Sequence, residues 1–348
     1  MNPVFFTRKF PPSVGGMETL AAGVWRSLLR SRPGSRLIAH GGPNSRLPLW
    51  LPVALVKLLW LIARRRVSFV LTGDALAFAI VSPLLRLLRV PHATIVMGLD
   101  VTFENPVYKA LVLPAVRRAS SVLAISEATA DSTAAIGAPR SRITVIRLGV
   151  QLPPPASRAE ARAALHARLG LPSQARVVVT LGRLVRRKGA LWFATEVLPL
   201  LDDSVHYVLA GDGPDFKALA LMPGNVHLLG RVDDDLRETV MRGAEVFVQP
   251  NIAVPGDLEG FGLVTIEAAL RGTPVVAADL EGLKDAVVHG QTGLLVPSGD
   301  TSTWVRVVSE LLADPGLDAL GSRFQSAATE LYSETTMGDA LVTALDLT

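Results

Sequence analysis

The stretch Glu259-Gly-Phe-Gly-Leu-Val-Thr-Ile-Glu267 is followed directly by Ala-Ala-Leu-Arg-Gly-Thr-Pro-Val-Val. It places one carboxylate in a Gly-rich turn, begins a helix with small residues, and places a second carboxylate about two turns later. Gly272 and Pro274 then end the helix before an apolar strand. Backbone N–H groups at a helix start can face phosphate oxygens, and Gly262 allows the backbone to approach a ligand closely. The stretch is therefore typical of a ligand-binding strand–turn–helix unit.

The two glutamates of this stretch indicate the chemical class of the ligand. A phosphate repels carboxylates, so Glu259 and Glu267 are suited to accept hydrogen bonds from sugar hydroxyls beside a phosphate site. The segment predicts a site for a sugar nucleotide. A pair of glutamates eight positions apart also occurs on the solvated face of ordinary helices, but the residues between and after this pair favour the ligand site.

The run E-G-F-G-L-V-T-I-E, with G-T-P-V-V after it, resembles the signature of the family 4 retaining glycosyltransferases, which include bacterial enzymes of exopolysaccharide and glycolipid synthesis. This resemblance implies the GT-B fold, in which two Rossmann-like, doubly wound α/β domains face a central cleft. It also implies that the residues of the run contact the donor, namely Glu259, Gly260, Phe261, Gly262, Leu263 and Glu267.

Domain organisation follows from length and from the alternation of strand and helix patterns. A chain of 348 residues exceeds what one hydrophobic core usually serves. The alternation predicts parallel sheets with ligands at the carboxyl ends of the strands. Pro153-Pro154-Pro155 cannot form a central strand and marks a boundary. We expect an acceptor-binding domain over 1–152, a nucleotide-sugar-binding domain over 153–333, and a last segment, about 334–348, that packs back on the first domain.

A cationic turn follows the first strand of the predicted second domain. The segment Arg183-Leu-Val-Arg-Arg-Lys188-Gly189 combines a forked guanidinium with a point charge, a suitable pair for clamping an anion. The pattern is similar to the family's G-R-L-x-x-x-K-G, which implies that Arg183 and Lys188 bind the donor diphosphate. Arg186 and Arg187 do not match that motif and are expected to be solvated. Three further positions match family turns near the base and phosphates: Gly211, Gly230 and Val232.

The first domain offers fewer site residues. Gly15 and Gly16 would let the loop after the first strand approach a diphosphate, as the resemblance also implies. The family commonly carries His-Gly at the end of a later strand, where Met97-Gly98 stands in this chain. No sugar-orienting histidine is therefore assigned. Asp100 is a candidate for acceptor contact, or else a helix cap.

Composition limits the remaining classes of function. Hydrophobic residues make up 49% and charged residues 19%, which excludes a disordered chain. With no cysteine, disulfides and thiolate catalysis are excluded. The histidines lack ligand spacing, so no metal is implied. The first residues are too soon interrupted by charge to be a signal peptide, and we expect a cytoplasmic protein.

Charge is distributed unevenly. Residues 1–150 carry a net charge of +13 and the remainder −9. No nucleic-acid-binding module accompanies the basic half, so nucleic acid is not an expected partner. Residues 48–66 form a strongly apolar stretch that ends in Arg64, Arg65 and Arg66. Two interpretations stay open: a helix on an anionic membrane surface, with Trp50 and Trp60 at the interface, or a buried helix of a doubly wound domain. The first would place the protein peripherally on the inner face of the cell membrane.

Taken together, the resemblance implies a retaining, metal-independent hexosyltransferase. It would move a hexose from a UDP- or GDP-sugar to a hydroxyl of a glycan or lipid-linked acceptor, with Glu259, Arg183 and Lys188 as catalytic groups and no cofactor beyond the donor substrate. The alternatives are transfer to a soluble small molecule, a non-catalytic nucleotide-sugar-binding protein of the same fold, and an epimerase or phosphorylase on the same scaffold.

Overall fold

A computed structural model describes residues 2–13, 15–222 and 224–346 of the chain. The chain divides into two compact units, Met1–Gln151 with Tyr332–Thr348 (unit 1) and Leu152–Leu331 (unit 2). Two residues of the predicted last segment, at 347 and 348, lie outside the described residues.

Strands and helices alternate in both units. The strands are β1 Pro3–Thr7, β2 Arg36–Ala39, β3 Phe69–Thr72, β4 His92–Val96, β5 Val122–Ala124, β6 Ile143–Val145, β7 Arg176–Leu181, β8 Val205–Ala210, β9 Val226–Gly230, β10 Val246–Gln249, β11 Val275–Ala278 and β12 Leu294–Val296. The helices are α1 Gly16–Ser31, α2 Leu47–Ala63, α3 Ala75–Leu87, α4 Gly98–Thr102, α5 Pro106–Leu111, α6 Leu113–Arg117, α7 Glu127–Ala135, α8 Arg158–Leu169, α9 Ala190–Trp192, α10 Phe216–Leu219, α11 Asp234–Gly243, α12 Leu263–Ala269, α13 Leu283–Ala286, α14 Thr301–Ala313, α15 Leu317–Leu331 and α16 Glu334–Asp346.

Each unit contains one six-stranded sheet in which every observed pairing is parallel. The strand order is β2-β1-β3-β4-β5-β6 in unit 1 and β12-β11-β10-β7-β8-β9 in unit 2. The central strands are buried along most of their length, as β1, β3, β4 and β10 show, because helices cover both faces of a parallel sheet. All carboxyl ends of one sheet therefore lie at one edge, and the loops that follow them form a single polar rim.

The C-terminal helix belongs to unit 1. The Arg26 guanidinium grips the Glu334 carboxylate, with Nε 2.9 Å from Oε1, and the Ser27 hydroxyl donates to the Glu334 carbonyl at 2.8 Å. Val150 and Ser333 pair as an isolated parallel bridge. These contacts fix α16 on α1.

Two elements are shorter than the residue pattern predicts, namely a strand from His92 to Asp100 and a helix from Gly189 to Leu201. The strand beginning at His92 ends at Val96, and residues 98–102 form the short helix α4, because the Asp100 carboxylate accepts from the Met97 N–H at 3.1 Å and caps that turn. The helix expected from Gly189 to Leu201 is broken into α9, a π-helical turn over 193–197 and a 3-10 turn over 198–200. Pro199 lacks an N–H and its ring crowds the preceding turn, so a regular helix cannot continue through it.

Candidate active site

The rim of unit 2 is built by loops that touch one another at glycines. A Cβ added at Gly189 would lie 1.7 Å from the Pro250 carbonyl oxygen, and one added at Gly211 would lie 1.8 Å from the Gly182 carbonyl oxygen. Gly189 also has φ 68°, which glycine adopts without strain. The loops after β7, β8 and β10 are therefore locked together, and this packing brings the cationic turn beside the loop that carries Glu259.

Lys188 and Glu259 meet at the centre of this rim. The Lys188 ammonium lies 2.5 Å from Glu259 Oε2, and only 8% and 7% of the two residues are exposed. The same oxygen accepts from the Asn251 amide at 3.0 Å and from an Arg187 guanidinium nitrogen. Among the described residues no donor reaches Glu259 Oε1. One carboxylate oxygen is thus fixed by three donors, while the other is left to accept from a ligand.

The charges of this pair are set by burial and by the neighbouring ions. Burial alone would raise the pKa of Glu259, but Lys188 and Arg187 outweigh it and lower that pKa to about 2. Burial lowers the pKa of Lys188, and Glu259 opposes the effect. Glu259 is therefore an anion at every ordinary pH and an acceptor of hydrogen bonds, not a proton donor.

Arg187 is largely buried, although the sequence predicted that it is solvated. Its side chain is only 12% exposed and joins Glu259 to Asp257, whose Oδ1 lies 3.0 Å from Arg187 Nε. The Arg187 carbonyl also accepts from the Ile252 N–H at 3.0 Å. The prediction was wrong because the 3-10 turn over 186–188 distributes its three side chains around the turn axis, and the sequence does not show which of them faces Glu259.

Arg183 and Arg186 are the exposed members of the cationic turn. Arg183 follows Gly182 at the end of β7, and among the described residues no carboxylate forms an ion pair with it. It lies close enough to Lys188 for its charge to oppose the Lys188 ammonium. An unpaired guanidinium beside a buried ammonium forms a site in which an anion would relieve the repulsion between the two cations.

Glu281, for which the sequence predicted no role, holds the backbone of Glu259 in place. Its Oε2 accepts from the Glu259 N–H at 2.6 Å, and burial raises the pKa of its carboxyl. Glu281 has φ 49°, a left-handed conformation that is uncommon for residues other than glycine. The Gly282 N–H donates to the Glu259 carbonyl at 3.1 Å. The loop after β11 therefore holds both backbone groups of Glu259. The only sequence signal was the Glu281-Gly282 pair, which begins three residues after the end of that strand.

Glu267 lies on α12 and is 8% exposed. Its Oε2 forms an ion pair with Arg237 of α11, another residue without a predicted role. No donor from the described residues reaches Glu267 Oε1. As at Glu259, one oxygen is fixed by a cation and the other remains an acceptor.

The remaining residues of the central run lie where the chain turns into α12. Gly262 precedes the helix, Phe261 is buried, and Gly260 and Leu263 are half-buried. With seven residues α12 spans just under two turns, so its dipole is small. The cationic side chains, rather than the helix start, are the stronger attraction for an anion here.

The other predicted donor residues are dispersed. Gly211 follows β8, Gly230 ends β9 and Val232 comes two residues later, so all three lie on the same rim as Lys188, towards the sheet edge. Gly15 and Gly16 lie at the start of α1 in unit 1.

Unit 1 has its own polar cluster, at the carboxyl ends of β1, β3 and β4. Arg8 Nε donates to Asp74 Oδ1 at 2.8 Å, and Asp100 lies next to this pair, with its Oδ2 accepting from the Met97 and Ala75 N–H groups at 3.1 and 3.4 Å. The Tyr108 ring is half-buried beside Asp100, and burial, followed by the charge of Asp100, raises the pKa of the Tyr108 hydroxyl. The predicted Asp100 is therefore a helix cap in this structure, and it is also part of a buried carboxylate pair. Met97 is buried at the end of β4, where the family's histidine would stand.

Burial, followed by the charge of Asp74, raises the pKa of Asp100 to about 7. The folded state therefore holds this proton more tightly than the unfolded chain does, and the contribution of Asp100 to stability falls as pH rises from about 4 to about 7. Replacing Asp100 with asparagine is expected to remove that pH dependence, because asparagine cannot ionise. Each tenfold difference in proton affinity between the folded and unfolded states corresponds to about 1.4 kcal/mol. Urea denaturation at pH 5 and pH 8 tests this. If the Asp100→Asn variant lost as much stability as the wild type between those values, Asp100 would not be the buried acid.

Among the described residues no group of three or more His, Asp or Glu side chains is arranged to hold a metal ion. The His206 and His227 rings, which the sequence separates, face each other across β8 and β9 with Nδ1 and Nε2 3.0 Å apart. Burial lowers the pKa of both rings.

Solved structures resemble this chain over its whole length. HepE from Anabaena in complex with UDP-glucose matches with a TM-score of 0.77 at 20% identity, covering 99% of this chain and 100% of that one. Sucrose-phosphate synthase from Thermosynechococcus elongatus matches with a TM-score of 0.77 at 20% identity, covering 100% and 99%. The two parallel sheets and these neighbours define a protein of the GT-B fold, the class that the sequence predicted.

Family models then identify the family. The model "Glycosyltransferase Family 4" matches residues 10–152 and the model "Glycosyl transferases group 1" matches residues 175–314. The chain belongs to the family 4 glycosyltransferases, which confirms the resemblance of the central motif.

Relatives of known name are similar to part of the chain. A D-inositol 3-phosphate glycosyltransferase of Mycolicibacterium gilvum is 37% identical over 219 residues, 58% of this chain and 46% of the relative. A phosphatidyl-myo-inositol mannosyltransferase of Mycobacterium leprae is 32% identical over 167 residues, 46% of this chain and 43% of the relative. The matches thus span about half the length of each relative or less.

Proposed function

We propose that this protein is a retaining glycosyltransferase that moves a hexose from a UDP- or GDP-sugar to an acceptor hydroxyl without a metal ion. The observation that carries the proposal is the buried contact between Lys188 and Glu259, 2.5 Å apart, near Arg183, which forms no ion pair with a carboxylate of the described residues. It combines, on one rim, cations suited to a diphosphate and a carboxylate oxygen suited to a sugar.

The donor would be held by groups whose charges match its parts. Arg183 can grip two phosphate oxygens, and Lys188 has further N–H groups besides the one that faces Glu259. The open Oε1 of Glu259 would accept from a hydroxyl of the sugar, and the open Oε1 of Glu267 from the ribose. Because Arg183 and Lys188 neutralise the diphosphate, transfer would need no divalent cation, and activity should survive a chelator.

The transfer step follows from this arrangement. The bond between the anomeric carbon and the diphosphate oxygen breaks as the acceptor oxygen bonds to the anomeric carbon on the same face. The acceptor proton passes to the leaving diphosphate oxygen, so the diphosphate acts as the base. Arg183 and Lys188 stabilise the charge that develops on the diphosphate, which is the interaction that lowers the barrier. Glu259 positions the sugar and stays ionised throughout.

The acceptor is proposed to be a hydroxyl of a glycan or of a lipid-linked molecule. Two relatives support this class, since one is named for D-inositol 3-phosphate and the other for phosphatidyl-myo-inositol. In unit 1, Arg8, Asp100 and Tyr108 lie at the carboxyl edge of the sheet, where hydroxyl and phosphate groups can be bound. The first relative's name equally supports a soluble phosphorylated polyol as acceptor.

A second candidate is a non-catalytic protein that binds nucleotide sugars. It is favoured by Met97, which stands where the family commonly has the histidine near the transferred sugar. The intact Lys188–Glu259 contact supports the enzyme instead.

One experiment separates these functions. The protein is incubated with UDP- and GDP-sugars, with and without inositol phosphate, phosphatidylinositol and a chelator, and products are characterised by NMR. We expect a glycoside whose anomeric configuration equals that of the donor and whose formation resists the chelator. Inversion of the configuration would refute the retaining mechanism, and donor binding without any product or donor hydrolysis would favour the binding protein.

A further inference from the structure

Helix α2 of unit 1 is apolar on the side that faces away from the protein. Its inner stripe, formed by Ala54, Leu58 and Leu61, is buried against the core below β1 and β3. The opposite stripe is exposed, with 78% of Leu49 and 68% of Val53 accessible. Val56, Leu59 and Trp60 continue it at helical spacing. An ordinary surface helix would carry polar residues on this side.

Within the described residues, Asn44–Ala63 is the one helical segment long and apolar enough to cross a membrane, with a mean hydropathy of 1.6, and only 17% of it is buried. Its place in the fold argues against a span. The helix joins β2 to β3, and both strands pair with β1 in one sheet, so the two ends of the helix belong to the same folded body. A helix with one stripe in a protein core and the other exposed can lie in a membrane surface, not through it.

The exposed stripe ends in cations. Arg64, Arg65 and Arg66 follow the helix directly, and the guanidinium carbons of Arg64 and Arg66 lie 5.0 and 5.9 Å from the centre of the Trp60 ring. The three backbone N–H groups are bonded to carbonyls of the last helical turns, so the arginines are held at this end. The chemistry is that of an interface: an apolar stripe, a tryptophan at its border and basic groups beyond it.

We propose that the exposed stripe of α2 and the Arg64–Arg66 cluster dock unit 1 on an anionic phospholipid membrane. A bilayer fits better than a protein partner because one occupant must match both features: acyl chains cover the stripe, and acidic headgroups meet the arginines. The net charge of +13 over residues 1–150 adds a longer-range attraction.

The orientation of α2 on a membrane would also bring a lipid-linked acceptor close to unit 1, and this step rests on the proposed function. Helices in this fold run opposite to the strands, so α2 begins near the carboxyl edge of the sheet and ends, with its arginines, at the other edge. Asp100 and Arg8 lie at that carboxyl edge. An acceptor carried by a lipid in the same membrane would therefore present its hydroxyls next to the end of α2 at which Leu49 lies.

Vesicle flotation of the whole chain tests the proposal, with phosphatidylcholine alone and with phosphatidylcholine mixed with phosphatidylglycerol. One variant replaces the stripe (Leu49→Gln, Val53→Gln, Val56→Gln). A second removes the charges (Arg64→Gln, Arg65→Asn, Arg66→Gln). The matched control replaces two exposed leucines of unit 2, Leu200→Gln and Leu221→Gln, which are 63% and 84% accessible.

We expect the wild type and the control to float with the mixed vesicles. Each of the other two variants should bind these vesicles at least about tenfold more weakly than the wild type. Equal flotation of all proteins, or absence of the wild type from both lipid fractions at low salt, would overturn the proposal. So would a wild-type dimer in solution that the stripe substitutions convert to monomer, since the stripe would then be a self-association surface. Binding of UDP and GDP is measured in parallel. If the wild type bound neither nucleotide, the proposed function would be refuted and the membrane result would be unaffected.

Discussion

Sugar transfer is expected to fall about 100- to 1,000-fold when Arg183 is replaced by alanine or Lys188 by methionine, since each change removes a cation from the leaving diphosphate. Methionine keeps most of the Lys188 side-chain volume. Glu259 retains Arg187 and Asn251 as partners in that variant, so the fold is expected to persist. Initial rates with a saturating donor measure the effect, and far-UV circular dichroism checks the fold.

Arg186→Ala is the matched control. Arg186 belongs to the same cationic turn but is exposed and makes no ion pair with a described carboxylate. Its rate should stay within about twofold of the wild type, because screened surface charges contribute little. A loss in Arg186→Ala equal to that in the other two variants would mean that only the net positive charge of the turn matters, and the clamp assignment would fail.

Glu259→Gln is expected to reduce both turnover and stability. The substitution leaves Lys188 and Arg187 facing a neutral group in a buried place, and breaking such a pair costs about 3–5 kcal/mol. Because the pKa of Glu259 is lowered to about 2, the ionised carboxylate stabilises the fold fully above the ordinary value near 4.5, and this stabilisation is lost as pH falls towards 2. The stability difference between wild type and variant should therefore be large at pH 7 and smaller at pH 3.

The exposed pair Arg306–Glu310 provides the control for this change. Its Nη1–Oε2 distance is 3.1 Å and both side chains are more than half accessible. Glu310→Gln should lower the free energy of unfolding by about 0–1 kcal/mol and leave turnover unchanged. Chemical denaturation of both variants at the two pH values decides the comparison. A Glu259→Gln variant as stable and as active as Glu310→Gln would contradict the role given to the buried carboxylate.

The fold could be predicted from the sequence because the patterns that indicate strands and helices are local and are repeated along the chain. Alternating apolar strands and helices predicted the parallel sheets, and the Glu259–Glu267 run predicted the family, and both are confirmed. The polyproline segment at 153–155 lies just after the division between the units. Each of these inferences needed only neighbouring residues.

The partners within the site were harder to predict, because they depend on packing between loops that are distant in sequence. Lys188 reaches Glu259 because Gly189 packs on Pro250, and no pattern in the sequence predicts this contact between the two loops. Arg187 was expected in solvent for the same reason. Arg237 and Glu281 hold the two motif glutamates from helix α11 and from the loop after β11. The roles assigned to the donor-binding residues and to Asp100 stay predictions until ligands are measured.

The diphosphate clamp at Arg183 and Lys188 is tested by the affinity of the wild type and Arg183→Ala for nucleoside monophosphates and diphosphates, measured by titration calorimetry with UMP, UDP, GMP and GDP. The wild type should bind one diphosphate at least about tenfold more tightly than the matching monophosphate, because each charge-assisted contact to the second phosphate contributes about 1.5–3 kcal/mol. Arg183→Ala should lose most of that preference. Equal affinity of the wild type for the monophosphate and the diphosphate of both bases, or an undiminished preference in Arg183→Ala, would contradict a diphosphate clamp on this rim.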